Sequence, residues 1–345
     1  MNRQLLVDKI HCIYNKVINQ KSGEWNLNIN LWSWACGVGV FGLVKAYEAT
    51  GNPKYKEFLE KWFVENENKR LFGSVNNVAP LPAVLFLAEV NGDSECLKIC
   101  EEYADWCMNK SLRTCNDGFA HVWAGGDDDY KNQLWIDTIF MAGIFMLKYG
   151  MFAKNEQIIR EALKQIDLHI DCLIDPENDL FYHAYHCINK EHLGQHWGRG
   201  NGWMVASLVE LIDILKNSNF EISKYVEILR KVMNKAFSLK TPDGMLRTLL
   251  LVEESYTETT ATSLFGYAAL KGFQLDVLDE RFNEWGRQVI DTISEYIDED
   301  GIIAHCSYGT NPETKEVYMT RPCDQSLYAD GIVIMLLSQG MKQYS

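Results

Sequence analysis

Apolar and polar residues alternate along the chain in two kinds of helical pattern. Segments of the first kind carry charged residues on one face and apolar residues on the other, as expected of helices that pack against a core on one side. They cover residues 3–20, 53–66, 93–110, 153–175, 221–238 and 279–298. Segments of the second kind are apolar nearly all round and rich in small residues, as expected of helices buried among other helices. They begin at Trp34, Asn76, Leu134, Gly198, Glu258 and Cys323.

Pairing each apolar helix with an amphipathic one gives six hairpins, repeated at intervals of about 40 to 65 residues. In such a repeat each hairpin buries the face of its neighbour, and closing it into a ring gives an all-α (α/α)6 barrel. We expect one domain over residues 1–345, with the loops that open the inner helices gathered at one end, where functional groups on a rigid scaffold usually lie. Short hairpin strands are expected only in YTETT (256–260) and GIIAHCSYGT (301–310).

One carboxylate interrupts an apolar segment. Asp137 lies in QLWIDTIFMAGIFMLKYG, residues 133–150, which the pattern predicts as a buried helix. Burial disfavours the charged form of a carboxyl group and raises its pKa, which suits a general acid near neutral pH. An N-cap or a hydrogen-bonded core aspartate explains the same residue equally well, so the stretch alone leaves these roles open.

The loop before the fourth inner helix, QHWGRGNGW at residues 195–203, holds the most concentrated chemistry. Its three glycines allow a tight backbone beside a ligand. Trp197 and Trp203 offer flat apolar faces, and Arg199 offers a forked cation that suits a carboxylate. No Lys-Ser/Thr pair follows, as it would in a phosphate loop. A helix-capping loop with core tryptophans is the structural alternative.

Two further loops carry histidines. GFAHVWAGGDDDYKNQ contributes His121, Trp123 and the triplet Asp127–Asp129, which lacks the spacing of a calcium loop and fits a solvated loop better. DLFYHAYH contributes His183, with Tyr185 and His186 close behind. No cysteine or histidine group has the spacing of a zinc site, so we expect no metal and no other cofactor.

Composition restricts the partners. The net charge of −14 argues against nucleic acid or an anionic membrane, because both require clustered Lys and Arg. An anionic ligand therefore needs a locally basic pocket. The N-terminal segment lacks the apolar core of a secretion signal, no stretch approaches the roughly 18 apolar residues of a membrane span, and the ten scattered cysteines fit reduced thiols. We expect a cytoplasmic protein, as a monomer or a homodimer.

Seven motifs, spread in order over nearly the whole chain, resemble those of the unsaturated rhamnogalacturonyl hydrolases of glycoside hydrolase family 105. The unsaturated glucuronyl hydrolases of family 88 are more distant relatives. The motifs are WSWACGVGVFGLVKAYEATG, SVNNVAPL, QLWIDTIFMA, LFYHAYH, HWGRGNGW, ETTATSLFGYAALKG and DQSLYADG. Several motifs in one order are far more specific than any one of them alone.

The resemblance implies a glycosidase whose substrate is an oligosaccharide left by a polysaccharide lyase, with a 4,5-unsaturated uronic acid at its non-reducing end. Protonation of C4 of this enol ether gives oxocarbenium character at C5, water adds there, and the hemiketal collapses with release of the next sugar. One carboxyl group can give the first proton and take one from water, unlike the carboxylate pair of ordinary glycosidases. The resemblance assigns this role to Asp137. It favours pectin-derived rhamnose as the next sugar without fixing it.

The resemblance also implies a set of substrate-binding residues. Asn77 departs from the pattern, because several relatives carry a second Asp there, and an amide can bond a hydroxyl or water but cannot titrate. A mechanism with two acids is therefore in doubt. The implied binding residues are Trp34, Asn77, His121, His183, Trp197, Arg199 and Trp203.

Two other functions fit the same barrel. A sugar epimerase of the N-acylglucosamine type usually relies on two histidines, so it requires His121 and His183 to face each other across the sugar, with Asp137 turned away. A carbohydrate-binding protein without catalysis is expected to bind saturated and unsaturated oligosaccharides equally, without turnover.

Overall fold

The computed structural model describes residues 2–20, 24, 26–121 and 130–344. Within these ranges twelve helices alternate between an outer and an inner wall, and a short helix, α12 (Lys315–Met319), lies in a loop. The outer helices are α1 (Arg3–Asn19), α3 (Pro53–Asn66), α5 (Ser94–Asn109), α7 (Glu156–Leu173), α9 (Ser223–Leu239) and α11 (Glu280–Glu295). The inner helices are α2 (Trp34–Thr50), α4 (Leu81–Asn91), α6 (Ile144–Phe152), α8 (Gly198–Leu215), α10 (Thr259–Gln274) and α13 (Leu327–Met341).

The inner helices form a closed ring. Contacts run from α2 to α4, α6, α8, α10 and α13 in turn, and α13 packs back against α2. Each inner helix also contacts an outer helix that neighbours it in the chain, except that α1 at the N-terminus covers α13 at the C-terminus. The predicted (α/α)6 barrel is therefore confirmed. No helix of the described part of the chain is long and apolar enough to cross a membrane.

Small residues allow the first and last inner helices to touch through their backbones. A Cβ added at Gly331 of α13 would lie 2.1 Å from the carbonyl oxygen of Val38 in α2. Gly42 meets the backbone of Gly331 in the same way, at 2.6 Å. The ring thus closes at a contact where no side chain fits, and the two glycines are required there by space.

A buried ion cluster lies among the inner helices at the end away from their opening loops. Glu210 of α8 pairs with Lys45 of α2 at 3.3 Å, and it also contacts Lys271 and Tyr267 of α10. Glu210 and the two lysines are all less than 10% exposed. The lysines compensate for the burial of Glu210 and hold its pKa well below the usual range. Because these residues come from three inner helices, they tie the ring together at its base.

The start of the third inner helix differs from the sequence prediction. Residues 133–150 were expected to be one helix, but Gln133–Trp135 form strand β1, which pairs with strand β4 (Ala184–His186), and β4 pairs with β5 (Glu191–Leu193). Asp137 lies in the turn that follows, π-helix covers Ile139–Gly143, and α6 comes next. The apolar residues Leu134 and Ile136 fit a strand as well as a helix. The segment forms a strand because it pairs with β4, which lies far away in the chain.

The two short segments expected to form hairpin strands do so only as isolated bridges. Arg247 pairs with Thr257, Ile297 with Ile303, and Ser307 with Cys323. The remaining regular strands of the described residues, β2 (Ile174–Asp175) and β3 (Leu180–Phe181), form a small hairpin after α7.

The backbone contact at the ring closure gives a first test. We expect Gly331→Ala to lower the free energy of unfolding by about 3 kcal/mol or more, because the added methyl group collides with a carbonyl oxygen that cannot move without shifting α2. Gly143→Ala is the matched control, since its added Cβ has no neighbour closer than 3.5 Å. Chemical denaturation of both variants measures the difference. Equal stability of the two would contradict the backbone contact.

Candidate active site

A cavity of about 300 Å³ opens at the end of the barrel where the inner helices begin. Its walls come from the first residues of α2 and α8, from the loops before α4 and α6, and from the long connection between α11 and α13. The gathering of opening loops that the repeat predicts is therefore observed. The lining residues are Trp34, Asn76, His121, Trp135, Asp137, Trp197, Arg199, Trp203, Tyr308, Gly309, Thr310, Asn311 and Arg321.

Asp137 reaches this cavity because strand β1 ends just before it. The amide of Ile136 donates to the carbonyl oxygen of His183 at 3.0 Å, which holds the end of the strand, and the amide of Met141 donates to the carbonyl oxygen of Asp137 at 3.0 Å, which starts the helix. The carboxyl side chain is 18% exposed. Its Oδ1 is buried and has no hydrogen-bond partner among the described residues, and the exposed part of the carboxyl group is the part that lines the cavity.

The surroundings of Asp137 favour its protonated form. Burial raises its pKa to about 6, against the opposing effects of the backbone amides of Asp137 and Thr138 and of the Arg199 guanidinium. Among the described residues of the cavity wall it is the only carboxylic acid. The burial that the sequence suggested is therefore present, and it acts on a group that faces open space rather than on a satisfied core residue.

His121 lies beside Asp137 as a neutral imidazole. Its Nδ1 is 3.8 Å from Oδ1 of Asp137 and 3.2 Å from Oγ1 of Thr138, and its Nε2 is 3.5 Å from the amide nitrogen of Asn76. Because the amide nitrogen of Asn76 only donates, Nε2 accepts and the ring proton lies on Nδ1. The ring stacks on Trp135 at 4.0 Å, and burial lowers its pKa to about 3. His121 thus donates hydrogen bonds without carrying charge.

Three of the predicted tryptophans form the apolar wall. Trp34 stacks on Tyr328 at 4.7 Å, Trp203 packs on Phe140 at 4.5 Å, and Trp197 stacks on His183 at 4.3 Å. Each indole is therefore fixed by an aromatic ring behind it. Rigid flat faces of this kind suit sugar rings, whose C–H groups pack on aromatic surfaces.

The glycines beside these tryptophans face protein rather than the cavity. A Cβ at Gly198 would lie 2.3 Å from the carbonyl oxygen of Arg247, and one at Gly202 would lie 2.8 Å from Leu264. These contacts therefore do not support the expectation that the glycines make room for a ligand. They let the start of α8 approach the neighbouring chain, and this approach places Trp197 and Arg199 at the wall.

Arg199 lines the cavity, but most of its hydrogen bonds are made to protein. Nη1 donates to the carbonyl and hydroxyl oxygens of Ser307 at 2.8 and 2.6 Å, and Nη2 donates to the carbonyl oxygen of Tyr308 at 2.9 Å. Glu258 lies 3.7 Å away and balances its charge, while Trp197 flanks the guanidinium at 4.6 Å. Only Nε is buried without a partner.

Two of the predicted binding residues lie outside the cavity wall that the described residues form. The backbone oxygen of Asn77 accepts from the indole nitrogen of Trp32 at 2.9 Å, and its amide nitrogen is buried without a partner. His183 is fully buried, and its Nδ1 is 2.6 Å from the hydroxyl of Tyr318. Burial lowers the pKa of His183 well below its usual value. Both residues stand directly behind residues that do line the cavity.

Sequence reasoning missed several wall residues. Asn76 is the neighbour of Asn77 in the same motif, and it lines the cavity although only Asn77 was singled out. Trp135 lies in the stretch that was predicted to be a helix, and the helical pattern did not indicate that its side chain lines the cavity. The other missed residues are Arg321 and 308–311, and no local pattern marks them because a long-range pairing brings them to the site.

Trp123 and the triplet Asp127–Asp129 lie outside the described residues. In the part of the chain that the structure covers, no group of three His, Cys, Asp or Glu side chains is arranged to hold a metal ion.

Comparison with known proteins places the whole barrel in one family. A family model described as Glycosyl Hydrolase Family 88 matches residues 9–344. The unsaturated rhamnogalacturonyl hydrolase YesR of Bacillus subtilis is 29% identical over 281 residues, which cover 81% of this chain and 80% of that protein. The resemblance read from the motifs is thereby confirmed.

Two solved structures share the fold. A Salmonella enterica protein described as a possible member of glycoside hydrolase family 105 superposes with a TM-score of 0.95 at 22% identity, covering 100% of this chain and 96% of that one. The unsaturated glucuronyl hydrolase of Bacillus sp. GL1, described as responsible for degrading glycosaminoglycan, superposes with a TM-score of 0.78 at 18% identity and covers 97% and 96% of the two chains.

The raised pKa of Asp137 predicts a stability effect. The folded protein holds this proton more tightly than the unfolded chain, whose Asp pKa is about 3.9, so the contribution of this group to stability is present below about pH 4 and is lost as pH rises through 6. Asp137→Asn removes this loss. We therefore compare the free energy of unfolding of the variant with that of the wild type. We expect the difference to favour the variant by up to about 3 kcal/mol more at pH 7.5 than at pH 4. Denaturation at both pH values measures it, and equal differences would show an ordinary pKa.

Proposed function

The chain belongs to Glycosyl Hydrolase Family 88, and on that premise we propose that it releases the 4,5-unsaturated uronic acid from the non-reducing end of oligosaccharides that a polysaccharide lyase has produced. The name of the relative YesR, an unsaturated rhamnogalacturonyl hydrolase, supports this activity. The glycosidic bond breaks as a consequence of hydration of the double bond. The enzyme therefore needs a proton donor at C4 more than it needs a nucleophile at C1.

The proposed reaction moves two protons through one carboxyl group. Protonated Asp137 gives its proton to C4, and the positive charge that develops at C5 is shared with the ring oxygen. Water adds at C5 and loses a proton to the Asp137 carboxylate, which regenerates the acid. The resulting hemiketal opens to a ketone at C5, and C1 becomes a hemiacetal that carries both a hydroxyl group and the next sugar. Loss of that sugar as an alcohol leaves an aldehyde at C1.

One observation carries this proposal: Asp137 lies in the cavity wall, its pKa is raised to about 6, and one of its oxygens has no partner. A general acid works best when its pKa lies near the working pH. An ordinary glycosidase pair places two carboxyl groups about 5 to 9.5 Å apart, whereas the proposed mechanism uses the one carboxyl group that the described wall residues supply. Asn77 is compatible with the same reading, because an amide cannot titrate.

The other wall residues take supporting roles in this proposal. Trp34, Trp197 and Trp203 pack on the faces of the sugar, and neutral His121 donates a hydrogen bond beside Asp137 without lowering its pKa as a cation would. Arg199 holds Ser307 and Tyr308 at the cavity wall through its two terminal nitrogens. His183 supports Trp197 from behind by stacking on it.

The two alternative functions receive less support. An epimerase requires His121 and His183 to face each other across the sugar with Asp137 turned away, whereas His183 lies behind Trp197 and Asp137 faces the cavity. A binding protein without catalysis has no need of a buried acid with an unpaired oxygen, and such a group costs stability.

The finer details of substrate and location are also proposals. The name of YesR favours rhamnose from pectin as the next sugar, whereas the Bacillus sp. GL1 enzyme is named for glycosaminoglycan. Disaccharides from both sources are therefore the first to compare. A cytoplasmic location is supported by the ten cysteines, all of which are unpaired.

Replacing the acid tests the proposed function directly. We expect Asp137→Asn to lower kcat by about 10³-fold or more, because an amide has no proton to give. Loss of the ultraviolet absorbance of the alkene measures the rate. Asp330→Asn is the matched control, since burial raises the pKa of Asp330 to about 6 as well, but it pairs with Lys16 away from the cavity. We expect that variant to stay active where it is folded. An active Asp137→Asn variant would remove Asp137 from the reaction.

The pH dependence gives an independent test. Only the protonated form of Asp137 donates, and its pKa is raised to about 6, so kcat/KM is expected to be highest below this pH and to fall about tenfold per pH unit above it. Rates measured between about pH 5 and pH 8, with circular dichroism confirming the fold at each pH, give the profile. A rate that rises with pH through this range would mean that the group acts first as a base.

A further inference from the structure

A second arginine in the cavity wall has a free end. Nε and Nη2 of Arg321 both donate to the carbonyl oxygen of Gly309, the first at 2.8 Å. Nη1 makes no hydrogen bond within the described part of the chain, and none of the described carboxylates lies within ion-pair distance of this side chain. The side chain is partly exposed and lines the cavity. A guanidinium held in this way presents a fixed pair of N–H donors, and no described carboxylate balances its charge.

Arg199 differs from Arg321 in both respects. Its two terminal nitrogens are bonded to Ser307 and Tyr308, and Glu258 lies 3.7 Å away. It is 1% exposed. The charge of Arg199 is thus already balanced and its donors are mostly committed to the backbone, so an anion in the cavity gains less from it than from Arg321.

The position of Arg321 follows from a short antiparallel pairing of two chain segments. The amide of Tyr308 donates to the carbonyl oxygen of Pro322 at 2.9 Å, the amide of Asp324 donates to that of Cys306 at 2.9 Å, and Ser307 pairs with Cys323. This pairing sets Arg321 opposite Gly309. Arg199 donates to Ser307 and Tyr308 of the same segment, so it holds the chain directly before Gly309, whose carbonyl oxygen orients Arg321.

The substrate of the proposed reaction always carries one negative charge next to the reacting carbons. The uronate carboxylate is bonded to C5, the carbon that receives water, and C5 is bonded to C4, the carbon that receives the proton. A cation that holds this carboxylate therefore fixes both reacting carbons relative to Asp137. Against a net charge of −14 for the chain, a local positive charge is also needed to attract such an anion.

We propose that Arg321 is the residue that binds the substrate's uronate carboxylate, through the free edge of its guanidinium, and that Arg199 is a positioning residue that holds the Arg321 pairing in place. The inference rests on the proposed function and goes beyond it in assigning specificity for the free acid to one residue. The sugar beyond the glycosidic bond plays no part in this contact.

The test compares an unsaturated uronyl disaccharide that has a neutral second sugar with its methyl ester at the unsaturated residue, which lacks the charge and carries one more methyl group. We expect the wild type to prefer the free acid by about 10- to 100-fold in kcat/KM, as for a hydrogen bond to a charged group. Arg321→Gln is expected to lose most of this preference. Its kcat/KM on the free acid falls, whereas its kcat/KM on the ester stays within about threefold of the wild type. Arg321→Lys should recover part of it, because the charge remains without the fork.

A matched control removes an arginine elsewhere. Arg281 lies exposed on the outer helix α11, and Arg281→Gln is expected to leave the preference for the free acid unchanged. A preference that survives in Arg321→Gln would overturn the assignment, as would an equal loss on acid and ester, which a merely structural role produces. If the wild type consumes neither substrate, the proposed function itself fails and the inference fails with it.

Discussion

The site depends on one constraint: the carboxyl group of Asp137 is kept away from bulk solvent and from hydrogen-bond and ion-pair partners. A buried acid normally finds hydrogen bonds or a counter-ion, yet this one keeps an oxygen without a partner, and its pKa is raised to about 6. The neighbouring His121 is neutral, and the charge of Arg199 is balanced by Glu258 and by hydrogen bonds to backbone oxygens. A cationic histidine or a free arginine beside Asp137 would lower its pKa and remove the proton donor at neutral pH.

The two ends of the barrel have different tasks. At the base, Glu210 pairs with Lys45 and Lys271 and so joins three inner helices. At the open end the backbone leaves the helical pattern, with strand β1 before Asp137 and the pairing of 306–309 with 321–324. The irregular segments that carry the chemistry are thus held by a regular helical scaffold.

The helical architecture could be predicted because each helix has its own periodicity, and most helices begin within a few residues of the predicted position, whereas α6 begins at Ile144 rather than at Leu134. Asp137, Trp197, Arg199 and Trp203 could be found for the same reason, since they stand at the openings of those helices. The prediction failed where long-range pairing decides. Strand β1 replaced the start of a helix because it pairs with β4, and Arg321 had no signal because Gly309, twelve residues away, orients it.

The central claim is that Asp137 keeps its proton up to about pH 6, where an ordinary aspartate has already lost it, and nuclear magnetic resonance measures this directly. Protein labelled with ¹³C at the aspartate carboxyl carbon, titrated beside Asp137→Asn to identify the signal, reports the ionisation of this one group. We expect a midpoint near the value of about 6 that burial imposes. A midpoint at or below the usual Asp value of about 3.9 would show that the cavity stabilises the carboxylate instead, and it would contradict the role of Asp137 as the acid.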